Sequence, residues 1–252
     1  MSWVMETEGE DHAFVLHRYP FSDSSLVLEV ITAGHGRLGL LARGARRPRS
    51  ALGGLEAGRP FVLRWRGRGE LPTLVSADEV APARLPGPWQ GLCLFYVNEL
   101  VLRLTVRNDP VPELFAAYAE VLEDLWAGDR ATWHLRRFEQ RLLRALGWAA
   151  DLPYCTVCGT AWKPGSDAWS QGPGAAPRCP LHAEPGGLIL TDAMIQWLSG
   201  SMIQAPVSSI QDPLRRYLRA QIDELLDGRP LESRRLLAAY LRRQKDSGRQ
   251  TW

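Results

Sequence analysis

The chain has 252 residues, with 30 lysines and arginines against 28 aspartates and glutamates, a formal net charge of +2. Hydrophobic content of 45% and charged content of 23% are those of an ordinary globular protein. This excludes wholesale disorder, a collagen-like repeat, a disulfide scaffold and a strongly basic or acidic tail protein, and the length is enough for a core that needs no covalent staples.

Met1 to Asp11 carry Glu6, Glu8, Glu10 and Asp11 and no cation, which does not fit a secretory leader. The two ends, to about Asp11 and from about Gln244, read as tails. Residues 12–82 read as β-rich. His12–Tyr19 and the β-branched run Ser25–Thr32 are separated by a turn at Ser22-Asp23. Gly34-His-Gly36 turns the chain into Arg37–Ala42. In Phe61–Arg66 the residues Phe61, Leu63 and Trp65 alternate with Arg64 and Arg66. Leu71–Val80 supplies a fifth strand. Five short strands with turns between them predict a five-stranded barrel of the OB type.

The pattern changes at Pro86-Gly-Pro88. Helical spacing then runs from Trp89 to about Val106, from Pro112 to Trp126 and from Thr132 to Leu146. Residues 148–190 are rich in Gly, Pro and Cys and predict no long element. Thr191 caps a further helix, and Asp212–Leu226 and Glu232–Arg243 complete the helices. The expected class is therefore α+β and multidomain. The OB-fold barrel occupies residues 1–82, a helical domain 83–150 and 190–243, an inserted zinc-ribbon-like module 151–189, and a tail 244–252.

No stretch approaches the roughly 18 apolar residues of a membrane span. No phosphate-loop, HExxH or GxSxG motif occurs, and His17, His35 and His134 have no spaced catalytic partner, so an enzyme is not expected. Gly34-His-Gly-Arg-Leu-Gly39 spells GxGxxG, but it joins two strands and opens no helix, so it reads as a hairpin. Cys155-Thr-Val-Cys158 and Cys179-Pro-Leu-His182 form two pairs spaced as the knuckles of a tetrahedral zinc site. Four protein ligands would close the shell, as in a structural site. The other readings of this spacing are a redox pair, or a site without His182. Four cysteines, three of them clustered, suit a reducing cytoplasm, and Cys93, on an apolar helical stripe, reads as a core thiol.

Only Lys163 and Lys245 are lysine; the other cations are arginine. Arginine favours bidentate phosphate contact, but the codon usage of a GC-rich genome explains the same excess. Position is more telling. From Gly34 to Arg68, Arg37, Arg43, Arg46, Arg47, Arg49, Arg59, Arg64, Arg66 and Arg68 face Glu56 alone, a local charge of +8, whereas residues 1–33 carry −5. Such a run is usually a solvated face. Within a barrel of a strand-binding class, with Arg64, Arg66 and Arg68 on one side and a basic loop Arg43–Arg49 taken to be flexible, it points to sequence-independent nucleic-acid binding by Arg37, Arg43, Arg46, Arg47, Arg49, Arg64, Arg66 and Arg68. A second cluster, Arg136, Arg137, Arg141 and Arg144, lies on the third helix, as an ordinary amphipathic face or a pocket for an acidic peptide.

Ala13-Phe-Val-Leu-His17, Ser22-Asp-Ser-Ser-Leu26, Ala42-Arg-Gly-Ala-Arg46, Tyr96-Val-Asn-Glu-Leu100, Leu135-Arg-Arg-Phe-Glu139 and Glu232-Ser-Arg-Arg-Leu236 occur in an order that resembles the bacterial DNA repair protein RecO family, from about Ala13 to Arg243. His182 stands where many relatives have cysteine. The resemblance implies a cytoplasmic, nucleoid-associated mediator of the RecF pathway without turnover. It would bind single- and double-stranded DNA, anneal complementary strands and, with RecR and often RecF, load RecA onto strands coated by single-strand-binding protein (SSB). It also implies that the acidic, Phe-ended SSB tail docks at Arg136 and Arg137. The rival reading is an OB-plus-zinc RNA-binding factor of transcription or translation.

Overall fold

The computed structural model describes residues 8–67, 69–82, 84, 86–128, 132–149, 152, 154–166, 168–172, 175–200 and 204–246. By internal contacts the chain divides into two compact units, residues 1–130 with 231–252, and residues 131–230.

In the first unit, β1 (Gly9–Pro20), β2 (Leu26–Thr32), β3 (Gly36–Ala42), β4 (Pro60–Arg66) and β5 (Thr73–Glu79) close a barrel in the order β1-β2-β3-β5-β4. Neighbours are antiparallel except for the parallel pair β3–β5, as in the OB fold. β1 starts inside the segment expected to be tail, because Gly9–Asp11 pair with Trp65–Leu63 of β4. Alternation places Val15, Leu28, Val30, Leu40 and Leu63 in the barrel with no exposed surface, and Phe61 and Trp65 beside them. β2 is buried on both faces. Its outward Ile31 neighbours Phe14, which packs against Phe115 and Tyr118, ring centroids 5.5 and 5.2 Å away.

The GxGxxG segment is a hairpin, as expected. Gly36 has φ +70°, and a Cβ there would lie 2.2 Å from the Asp109 carbonyl oxygen. Only glycine combines this backbone with so close an approach.

Three helices belong to the barrel unit: α1 (Pro88–Leu104), α2 (Pro112–Trp126) and, returning from the end of the chain, α6 (Glu232–Asp246). One turn of α1 ties all of these parts together. A bulge between Val15 and His17 leaves the Leu16 carbonyl off the ladder, and Asn98 Nδ2 donates to it at 2.9 Å. Tyr118 of α2 donates its hydroxyl to Asn98 Oδ1 at 2.6 Å. Burial raises the Tyr118 phenol well above its ordinary value, so it remains a donor. The next residue, Glu99, accepts from the backbone N–H groups of Glu232 and Ser233 at 3.0 and 2.9 Å and from the Ser233 hydroxyl at 2.5 Å. A carboxylate 133 residues away thus caps the N-terminus of α6. Arg234 lies over the Tyr96 ring, 5.8 Å from its centroid.

The second unit packs α3 (Trp133–Ala145), α4 (Asp192–Leu198) and α5 (Ser208–Leu225) around Phe138, Leu142, Leu143, Trp197, Leu214 and Tyr217. Thr191 caps α4, accepting from Met194 N at 3.3 Å. The last α4 carbonyls accept from Gln140 Nε2 at 2.5 and 3.2 Å, and the Ser199 carbonyl from Arg144 Nη2 at 2.5 Å. α5 begins at Ser208, four residues before the expected start, with Pro213 inside it. In the second turn a proline removes one backbone bond but leaves the earlier orphan donors unaffected, so it does not mark the start. Three short strands, β6 (Trp169–Gln171), β7 (Pro177–Arg178) and β8 (Ile189–Leu190), form a sheet in the order β7-β6-β8. Among the described residues no helix is long and apolar enough to cross a membrane.

Asn98→Ala leaves the Leu16 carbonyl and the Tyr118 hydroxyl buried without their partner, and should lower stability by about 2–4 kcal/mol. A fall in the urea unfolding midpoint followed by tryptophan fluorescence checks this; an unchanged midpoint contradicts it.

Candidate nucleic-acid interface and metal centre

The arginines expected at a nucleic-acid face separate into two groups. Arg37 is held inside the fold. Its Nη1 donates to Glu29 Oε2 at 2.6 Å, its Nε to Thr105 Oγ1 at 3.1 Å and its Nη2 to the Thr105 carbonyl at 2.9 Å. Arg107 Nη2 binds the other oxygen of Glu29, whose side chain is only 5% exposed. The Glu29 hydrogen bond raises the Arg107 pKa further and keeps it charged. This cluster fastens β2 and β3 to the end of α1, and it engages all three nitrogens of the Arg37 guanidinium. Arg64 is exposed on the outer face of β4 with Arg66, as alternation requires. It lies between two carboxylates on the neighbouring strands, bonded to Glu10 and 3.6 Å from Asp78. The Glu10 hydrogen bond raises its pKa. Arg59 is paired with Glu79 at 2.5 Å. Arg68 lies outside the described residues.

Arg43, Arg46, Arg47 and Arg49 form the second group, and all are exposed. Their loop is a chain of hydrogen-bonded turns. Arg47 N donates to the Gly44 carbonyl at 3.0 Å, Ser50 N to Arg47 at 3.2 Å and Gly53 N to Ser50 at 3.0 Å. It is anchored through Arg46, whose backbone N–H donates to the Ser24 carbonyl and whose Nη1 donates to the Ser22 carbonyl, each at 2.9 Å. The anchor holds four guanidinium groups at the rim of the barrel, beside the β1–β2 turn. Arg43, Arg47, Arg49 and Arg66 have no ion-pair partner among the described residues.

Cys155, Cys158, Cys179 and His182 converge, with their ligand atoms all within 4.8 Å of one another. Gly159, with φ +69°, closes the first knuckle and donates to the Cys155 carbonyl at 2.8 Å. His182 N closes the second on the Cys179 carbonyl at 2.9 Å. The Cys158 and Cys179 sulfurs are 3.8 Å apart, and His182 Nδ1 is 3.3 Å from Cys179 Sγ and 3.8 Å from Cys155 Sγ. Two sulfurs about 2.3 Å from one ion at tetrahedral angles lie about 3.8 Å apart, and a sulfur and a nitrogen about 3.6 Å, so the four residues fit a metal such as zinc. Burial opposes ionisation of Cys155, but backbone N–H groups of Cys179, Cys158 and Val157 and the Cys158 thiol lower its pKa to about 6. Burial, followed by the Cys155 contact, raises that of Cys179. Asp192, the first residue of α4, ties the module to the helices, accepting from Trp162 Nε1 at 3.0 Å and Gly165 N at 2.5 Å.

On α3, Arg136 is turned inward, with its side chain 12% exposed and Nη2 2.6 Å from the fully buried Glu139. Arg137 is half-buried over the Trp133 ring, 5.1 Å from its centroid. Sequence reasoning missed Arg103 and Arg107, because only the end of α1 brings them beside β2 and β3.

Two family models match the chain. The one described as the N-terminal part of recombination protein O covers residues 5–83, and the one described as its C-terminal part covers residues 91–235. The DNA repair protein RecO of Acidithiobacillus ferrooxidans is 49% identical over 240 residues, 95% of this chain and 94% of its own length. That of Nitrosospira multiformis is 38% identical over 244 residues, 90% of this chain and 94% of its own. That of Azoarcus sp. is 36% identical, over 94% of this chain and 98% of its own.

Arg136→Ala removes the guanidinium paired with the buried Glu139 carboxylate and should cost about 3–5 kcal/mol, where Arg136→Ala with Glu139→Gln costs clearly less. Thermal unfolding of the two variants checks this; equal losses would contradict the pairing.

Proposed function

The chain belongs to the RecO family of DNA repair proteins, and we propose on that footing that it is a recombination mediator acting by binding rather than by turnover. It binds single- and double-stranded DNA, anneals complementary strands and, with RecR and in some settings RecF, helps RecA onto SSB-coated strands in the cytoplasm. The observation that carries this reading is the anchored, exposed loop Arg43–Arg49 at the rim of a closed OB barrel. Its guanidinium groups meet phosphates without reading bases, so binding is independent of sequence. Annealing follows when two strands are held on one cationic surface, where their mutual repulsion is reduced. Arg66 extends this surface, Arg64 contributes less because Glu10 and Asp78 offset it, and Arg37 serves the fold.

The functional division we propose follows element type: the barrel of residues 1–82 for DNA, helices 83–150 and 190–243 for partners, and the module 151–189 for zinc. Cys155, Cys158, Cys179 and His182 would hold the ion, which supplies a folding constraint rather than a reactive centre, since four protein ligands leave no open position. For the SSB tail, Arg137 is the better docking residue of the α3 pair, because Arg136 is spent on Glu139. A guanidinium fork suits a terminal carboxylate and its acidic neighbours.

Replacing Arg43, Arg46, Arg47 and Arg49 by Ala should weaken single-strand binding and cut the slope of log affinity against log salt by about 2–3. Fluorescence anisotropy over a salt series, with an SSB-coated strand-annealing assay, tests this. Unchanged affinity and annealing would overturn the placement of DNA on this loop. Metal analysis should find about one zinc per chain, lost in Cys158→Ser; a metal-free protein with native stability would remove the zinc assignment.

A further inference from the structure

A groove of about 320 Å³ lies between the outer face of β1–β3 and α1, within the barrel unit. That volume is at the lower end of the roughly 300–1,000 Å³ of small-ligand sites. His17 and Tyr19 of β1 form one wall, and Phe95, Leu102 and Arg103 of α1 the other. The other polar groups in it are occupied: Glu29 and Arg37 with each other, Asn98 with Leu16 and Tyr118, Glu99 with the start of α6. Arg103 is exposed and has no ion-pair or hydrogen-bond partner among the described residues.

Aromatic rings are the other unsatisfied feature. Among the described residues of this unit, three Phe, Tyr or Trp rings are exposed: Tyr19 at 45%, Phe21 at 61% and Phe95 at 37%. Tyr19 and Phe95 line the groove, and Phe21 follows Tyr19 by two residues. His17 meets Tyr19 edge-on, with centroids 4.3 Å apart, and so steadies its ring. The strand register then leads to the basic loop. Tyr19 pairs with Val27 and Val27 with Leu41, two residues before Arg43. Phe21 opens the turn whose Ser22 and Ser24 carbonyls hold Arg46. Through Tyr19, Val27 and Leu41 the strand register therefore connects the groove to the basic loop.

We propose that this groove takes a base of a single DNA strand, stacked on Tyr19 and Phe95, with Arg103 on a flanking phosphate and the strand continuing past Phe21 onto Arg43–Arg49. Alternating phosphate and base contacts of this kind match a strand whose bases are unpaired, since every base offers a face to an aromatic ring. The inference rests on the DNA-binding reading above and adds to it a subsite that a duplex cannot use. It also supplies a preference that the phosphate contacts alone lack, for single strands over double.

The test compares the full chain with Tyr19→Leu and Phe95→Leu on three probes: an oligo-dT strand, an abasic strand of equal length and a duplex. Each substitution should weaken oligo-dT binding about tenfold and leave the abasic strand, the duplex and the salt slope unchanged, because stacking is lost and no charge is removed. Tyr19→Phe should bind oligo-dT as the native chain does. Unchanged oligo-dT binding in both leucine variants overturns the proposal, as does an equal loss on all three probes. Unchanged oligo-dT binding with weakened binding of an acidic, Phe-ended peptide would give the groove to a peptide instead. If a leucine variant fails to fold, a strand carrying 2-aminopurine decides with the native chain: its fluorescence should be quenched on binding, and no quenching overturns the proposal. A native chain that binds neither oligo-dT nor abasic strand fails at the Arg43–Arg49 surface itself, and the groove falls with it.

Discussion

The architecture of the first unit depends on a single turn of α1. Asn98 occupies a barrel carbonyl that a β-bulge leaves off the ladder, and its other amide atom takes the hydroxyl of Tyr118. Glu99 takes the first amides of α6. Three pieces of chain far apart in sequence are thereby joined through two adjacent side chains. The two Asn98 bonds satisfy groups that would otherwise be buried unpaired, which makes the arrangement costly to rearrange. The barrel rim and the α1 wall owe their fixed relation to this joint, and so does the groove between them.

A second constraint is how positive charge is spent. Glu29 absorbs Arg37 and Arg107, Glu79 absorbs Arg59, and Glu10 and Asp78 flank Arg64. The acidic start of the chain is thus a partner to the barrel, since β1 carries Glu10 to the register position opposite Arg64. Among the cations left without an ion-pair partner, Arg43, Arg47 and Arg49 share one rim, where turns and the Arg46 anchor prevent the guanidinium groups from dispersing. Electrostatic attraction at a fixed place is worth more than the same charge averaged over a surface.

Much of this was legible in the residues. Period-two alternation in Phe61–Arg66, turn residues between short apolar runs and the change to helical spacing at Pro88 are local signals, and local signals survive folding. The start of α5 was misread because proline is favoured at the first helical position, whereas Pro213 sits inside α5, five residues after its start. The knuckle spacing made the Cys155, Cys158, Cys179 and His182 cluster readable, because x2 spacing constrains two ligands through one turn. Nothing local marks Glu29 as the partner of Arg107 or Glu99 as the cap of α6, since those contacts span 78 and 133 residues.

Composition, periodicity and ligand spacing therefore determined the barrel, the helices and the metal-binding donor set without reference to three dimensions. The regional charge, −5 over residues 1–33 and +8 over the next 35, is likewise a property of the chain. Which arginines face solvent and which hold the fold was decided only by tertiary structure. A guanidinium's availability depends on the carboxylate that packing brings to it, and carboxylates arrive from neighbouring strands and distant helices rather than from neighbouring residues.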